Sequence, residues 1–238
     1  MKKDGLWHYW PLYCLAVMTG FAIAMGVSPH DRFDWMLENV LTVLFLILLL
    51  WSYKHFRLSN VSYTMITLFL MLHTVGSHYT YSEVPFGWWM ASVIGVARNH
   101  YDRLVHFSFG LLLAYPIREV FFRITSARGF WGYYLPFDVT MSMSALYEII
   151  EWIAAVTLNP SKGSAFLGSQ GDEFDGIKDM AMAGLGALIS MIATALIDWK
   201  IKPEFWKEFK DSFKVKYAAP LGEVTYEKYK NASKRKTT

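Results

Sequence analysis

Ten ionisable residues with the chemistry of ligands or of acids and bases stand in or beside hydrophobic stretches of this chain: His73, His78, His100, Asp102, His106, Glu148, Glu151, Asp172, Asp175 and Asp179. Each such group costs roughly 2.5–3.5 kcal/mol at the centre of a membrane helix. Asp102 and His106 are four apart, as are Asp175 and Asp179, while Glu148 and Glu151 are three apart. Those spacings put each pair on one helix face. Imidazole mixed with carboxylate suits zinc, manganese or iron, and helix bundles build metal sites from ligands three or four apart.

Three kinds of chemistry fit the set. In the first, His73, His78, Asp102, His106, Asp175 and Asp179 hold a divalent transition metal (zinc, manganese or iron), with Glu148 or Glu151 as catalytic base beside it. In the second, the carboxylates act without metal, one of them raised in pKa by its neighbours, as an acid–base site or proton path. In the third they are structural, paired with Arg103, Lys178 and the histidines. No single spacing has the specificity of a His-Glu-x-x-His motif. The metal reading rests on convergence of several segments.

Those segments must be membrane helices. The chain has 238 residues, 54% hydrophobic and 17% aromatic, with a mean hydropathy of +0.23. Six stretches meet the ~20-residue requirement of a ~30 Å hydrocarbon core: 9–27, 35–53, 61–78, 100–122, 134–158 and 177–199. The fold class expected is all-α, a bundle of six transmembrane helices. Residues 85–97, apolar and bearing Trp88 and Trp89, are too short to span and suit a re-entrant or interfacial segment between the third and fourth helices.

Lysine and arginine set the orientation. Of the 23 basic residues, 18 fall on one side of this threading and 5 on the other, so both termini are expected in the cytoplasm. With that orientation all ten residues come to the outer leaflet. At 1.5 Å per residue, His73 lies ~18 Å along the third span, Glu148 ~21 Å and Glu151 ~25 Å along the fifth. The pocket therefore sits near the headgroups, and a lipid headgroup or envelope precursor is the substrate class it implies. The cytoplasmic halves of the spans are nearly free of charge, which disfavours a proton-coupled transporter needing acids reachable from both sides.

Residues 1–199 thus form the transmembrane domain. Over 200–217, Phe205, Trp206, Phe209 and Phe213 recur at helical spacing among lysines, the pattern of an amphipathic helix on an anionic membrane face. Residues 218–238 are polar and basic and read as a disordered tail. The lone Cys14 excludes an internal disulfide and a zinc–thiolate site. A net charge of +3 carried in loops and tail is no nucleic-acid signature; membrane lipids and a lipid-linked or amphiphilic small molecule are the partners expected.

Four strings, His73-Thr-Val-Gly-Ser-His-Tyr-Thr-Tyr-Ser-Glu-Val-Pro85, Arg98-Asn-His-Tyr-Asp-Arg-Leu-Val-His-Phe-Ser-Phe-Gly110, Tyr147-Glu-Ile-Ile-Glu-Trp152 and Gly171-Asp-Glu-Phe-Asp-Gly-Ile-Lys-Asp-Met180, resemble the YjdF-type bacterial inner-membrane proteins. The resemblance runs to about Trp199 and implies a multi-pass protein of the inner membrane, without implying a reaction. The string Asp172-Glu-Phe-Asp175-Gly-Ile-Lys-Asp179 is also similar, more distantly, to VanZ-like proteins, associated with glycopeptide resistance. Here Asp179 stands where those proteins have Asn, and Met182 where they have Gly. That similarity implies a non-enzymatic binder of an amphiphile, the main alternative to a metal-assisted hydrolase or transferase.

Overall fold

The computed structural model describes residues 5–158, 170–216 and 219–234. Among them the chain is all-helical. Helix α1 is Trp10–Gly26, α2 Arg32–Ser52, α3 Asn60–His78, α4 Pro85–Ile94, α5 Tyr101–Ile124, α6 Trp131–Leu158, α7 Asp175–Ile201, α8 Phe205–Asp211 and α9 Leu221–Lys234.

The helix starts follow local chemistry. Pro11 and Pro85 occupy the first turns of α1 and α4, where a missing N–H costs nothing. Asp31 caps α2 by accepting from the main-chain N–H groups of Phe33 and Asp34 at 2.8 and 3.1 Å, and the Ser59 hydroxyl accepts from Ser62 N–H at 3.2 Å. Each satisfies donors that a helix start leaves open. Gly95, at φ 76°, ends α4 in the left-handed region that glycine adopts without penalty.

By length and composition α2, α5, α6 and α7 can each cross a membrane. Helix α1 is apolar but has 17 residues, below the ~20 a span requires when untilted. Helix α3 has 19 and buries Ser62, His73, Thr74 and Ser77 among its packed residues. It lies against α1, α2 and α5, and a helix enclosed by other helices need not be apolar all round. Its hydroxyls turn back on their own helix, Thr74 to Leu70 O at 2.6 Å and Ser77 to Thr74 O at 3.1 Å.

The core of the bundle is the α5–α7 pair, with α3 and α6 flanking α5. Two glycines bring α5 and α7 together. A Cβ on Gly110 would strike the carbonyl of Ala183, and one on Gly186 would strike the carbonyl of Phe107; small residues at crossings let membrane helices approach in this way. Gly184, which the sequence groups with Gly186, meets the side chain of Met141 instead. Helix α2 is peripheral. Among its residues Glu38 alone is buried, and α2 packs on α3 while scarcely touching α6.

Of residues 85–97, Pro85–Ile94 form the short helix α4, which buries Gly87 and Ala91 and exposes Phe86, Trp88, Trp89 and Val93. Of the expected amphipathic segment 200–217, residues 200–201 end α7 and the seven residues of α8 are helical, while residue 217 lies outside the described residues. Phe209 and Phe213 pack on Phe130, with ring centroids 6.0 and 5.1 Å away. The tail differs from expectation. Residues Leu221–Lys234 are helical, with Pro220 before the first turn, Glu223 within it and lysines towards the end, a charge order that favours a helix. Residues 218 and 235–238 of that segment lie outside the described residues.

Candidate functional site

One end of the bundle gathers the start of α2, the end of α3, the starts of α5 and α7 and the last third of α6. The centre of that end is a carboxylate group. Asp102 in the first turn of α5 and Asp175 and Asp179 in the first two turns of α7 each offer an oxygen, all within 4.8 Å of one another. Asp179 is 2% exposed, and its Oδ1 is buried without a hydrogen bond. One turn below Asp102, His106 holds its Nε2 3.5 Å from Asp102 Oδ1 and 3.4 Å from Glu148 Oε1. The Glu148 carboxylate reaches α7 because residue 176 is glycine: a Cβ there would come within 2.5 Å of Glu148 Oε2. Glu148 Oε1 is buried and makes no hydrogen bond. Glu151, half-buried, lies within electrostatic reach of Glu38, Asp102, Glu148 and Asp179.

A cationic rim tethers the loop before α7. Arg98 binds Asp175 directly. Arg103 donates to Asp172 at 2.6 Å, and Lys178 donates to both oxygens of Asp172 at 2.9 and 2.6 Å. The Lys178 ammonium chiefly, then the Phe174 N–H and Arg103, hold the Asp172 carboxyl down to about 2 against a partial desolvation that opposes them. Asn99 and Gln170 exchange main-chain and side-chain hydrogen bonds at 3.0 Å each way, and Asn99 also donates to Val84 O at 2.9 Å. His100, just before α5, is held below the ordinary imidazole range, by burial first and then by the nearby charges of Arg103 and Arg98.

Beside the carboxylates a second polar set faces a cavity of about 330 Å³ between α2, α3, α5 and α6. His73 accepts the Tyr81 hydroxyl proton on Nδ1 or donates to that oxygen, at 2.5 Å. Its Nε2 is buried without a hydrogen bond. Tyr147 donates to Glu38 Oε2 at 2.7 Å, and its ring stands edge-on to His106.

The residues singled out from sequence therefore divide. Asp102, His106, Glu148, Asp175 and Asp179 come together, with Glu151 alongside. His73 reaches the neighbouring cavity. His78 does not join them: its Nδ1 is 2.6 Å from Met25 O, and its ring packs on Tyr79 and His30. Asp172 and His100 belong to the rim. Sequence reasoning missed Glu38, Tyr81, Tyr147 and Arg98. Glu38 had a legible signal, an acid on its own inside the apolar stretch 35–53.

The charges do not balance within the set. Arg98, Arg103 and Lys178 engage Asp172 and Asp175, whereas among the described residues Asp102 and Glu148 pair with His106 and Asp179 shows no ion pair. Carboxylates crowded in low dielectric cannot all ionise without a cation or bound protons. Carboxylate oxygens with one imidazole in reach suit a divalent cation such as manganese, iron or zinc.

The comparisons with known proteins point to a family of membrane proteins. Residues 10–200 match the family model described as "Predicted membrane protein (DUF2238)". Over 179 residues, 75% of this chain and 85% of the other, the sequence is 37% identical to the protein named "Inner membrane protein YjdF" of Escherichia coli (strain K12). No solved structure matches. By the extent of that match, the chain belongs to the DUF2238 family of multi-pass membrane proteins.

Proposed function

We propose that this protein is a metal-assisted hydrolase or transferase acting on the polar headgroup of a membrane amphiphile. It sits in a bacterial inner membrane with six spans, α1, α2, α3, α5, α6 and α7, and both termini in the cytoplasm. The basic residues of the short loops and of residues 200–216 support that orientation, and the 37% identity to an inner-membrane protein supports the location.

The observation that carries the proposal is the meeting of Asp102, Asp175 and Asp179 from two helices within 4.8 Å, with Asp179 Oδ1 buried and lacking a hydrogen bond. A buried carboxylate oxygen without a donor is costly, and a divalent cation removes that cost. A cation there acidifies a bound water and neutralises charge that develops on the substrate. Glu148 is the base of this reading. Its Oε1 makes no hydrogen bond and stands beside His106, free to take a proton from the attacking water or acceptor hydroxyl. Arg98, Arg103 and Lys178 hold the loop that presents Asp175.

The test is a reaction assay in proteoliposomes made from envelope lipids, with headgroups followed by mass spectrometry and manganese, zinc or iron added singly. The proposal expects a cation-dependent change in one lipid class, lost in Glu148→Gln although that variant still loads metal. If no lipid changes under any cation, the enzymatic reading falls.

A further inference from the structure

The cavity beside the carboxylates has a chemistry that changes along its length. At the end of the bundle where the site lies, its wall is Glu38, His73, Asp102, His106 and Tyr147; a turn deeper it carries the hydroxyls of Thr42 and Ser144, and beyond them it is lined by Phe45, Phe69, Phe109 and Leu113 and is apolar. From Asp102 to Leu113 the wall follows eleven residues of α5, about 16 Å at 1.5 Å per residue. One leaflet of a ~30 Å hydrocarbon core is about as deep. The side of the cavity lies between α2 and α6, which scarcely touch, while the lipid-facing surface there carries exposed Leu41, Leu44, Leu146 and Ile150.

From this taper, depth and lateral gap we infer that the cavity is a slot for one hydrocarbon chain of the amphiphile whose headgroup lies at Asp102, Asp175 and Asp179. The inference rests on the headgroup reading above and adds the substrate class, a lipid held by its chain within the protein. Its volume of about 330 Å³ is at the small end of the ~300–1,000 Å³ typical of ligand pockets, enough for one chain rather than for a whole lipid. The chain enters sideways from the leaflet between α2 and α6, so the headgroup need not leave the interface. Binding is driven by apolar contact along α5. Position is set at the polar end, where Glu38, His73 and Tyr147 flank the junction of head and chain.

The experiment uses the full-length protein in phosphatidylethanolamine vesicles doped with a phospholipid that carries a photoreactive diazirine near its chain end. After illumination, labelled peptides are mapped by mass spectrometry. The inference expects label concentrated on the inward residues Phe45, Phe109 and Leu113, severalfold above the lipid-facing Leu44, Leu48 and Ile153. Leu113→Trp should cut that inner label severalfold while the outer label stays. Met143→Trp, at a half-open position of the same wall, gives a second obstruction if the first variant folds poorly. Label spread evenly over the lipid-facing residues, or inner label indifferent to both substitutions, overturns the slot. Metal content is measured on the same samples. Inner label in a protein that loads no metal keeps the slot and removes the metal reading, whereas loaded metal without inner label does the reverse.

Discussion

Tyr147 donates its hydroxyl proton to Glu38 across 2.7 Å, joining α6 to α2 at a place where those helices otherwise scarcely meet. Glu38 is the one buried residue of α2, a helix at the edge of the bundle. The bond therefore closes one edge of the slot and anchors α2 to the bundle at the depth of the site. Tyr147→Phe leaves the Glu38 carboxyl buried without this donor, and an unsatisfied buried polar group costs about 1–3 kcal/mol. Glu38→Leu removes the need for a donor and should cost clearly less. A double-mutant cycle on unfolding in detergent checks both; additivity of the two changes would mean the bond has no energetic coupling.

The α5–α7 contact predicts a ranking among glycines. At Gly110 and Gly186 an added methyl meets main chain of the facing helix, which cannot move without separating the pair. Gly110→Ala and Gly186→Ala should each lower stability by about 1–3 kcal/mol. Gly184→Ala meets the Met141 thioether, an adaptable side chain, and should be nearly neutral. Gly176→Ala pushes on the Glu148 carboxylate alone, so it should spare stability and impair the reaction. Thermal unfolding of the four variants in one detergent gives the order.

Ion pairs at the two ends should differ in weight. Arg98 and Asp175 are both shielded, with side chains 14% and 9% exposed. Arg98→Ala leaves the buried Asp175 carboxylate with its longer contact to Arg103 at 3.6 Å, so it should cost clearly more than a surface pair, up to about 3–5 kcal/mol for a broken buried pair. Arg128 lies 3.6 Å from Glu208 with 58% of its side chain exposed, and Arg128→Ala should stay within about 1 kcal/mol. Equal effects in chemical denaturation would contradict the assignment of Arg98 to a shielded rim.

Acid should loosen the loop before α7 through Asp172. Its folded pKa is depressed from 3.8 to about 2, so the folded state binds fewer protons than the unfolded state between those values. Its stabilising contribution is complete above the unfolded value and lost as pH falls through the folded one. The unfolding-temperature difference between wild type and Asp172→Asn should be constant above that window and shrink within it, approaching zero near pH ~2. A difference that persists unchanged to that pH would show that Lys178 and Arg103 do not act through the Asp172 charge.

Much of this molecule could be read from its residues, for identifiable reasons. Spans built on long apolar runs, such as 177–199 within α7, declare themselves by length. The pairs Asp102/His106 and Asp175/Asp179 fall on common faces because helical periodicity alone puts them there. Which faces meet is another matter. Nothing local to His78 says that Met25 lies beside it, and nothing local to Glu38 says that Tyr147, 109 residues on, will cross the slot to bond it. Those placements depend on how α1 and α2 pack around α3. Gly110 likewise looks like any helical glycine until α7 is laid against it. The helicity of 221–234 is hidden by polar composition, which resembles disorder when Pro220 and the charge order are left out.

The carboxylate group is the centre of this account, and cation binding to purified protein tests it most directly. Wild type, Asp179→Asn and Asp102→Asn are stripped with chelator in detergent, then titrated with manganese, zinc or ferrous iron while bound metal and unfolding temperature are followed together. The account predicts near-stoichiometric binding of one of these cations to wild type, with a rise in unfolding temperature; a cation at a hundred times its Kd adds about 2.7 kcal/mol. Asp179→Asn should neither bind nor be stabilised. A wild-type protein that stays folded, takes up none of the three and unfolds at the same temperature with or without them would contradict the site.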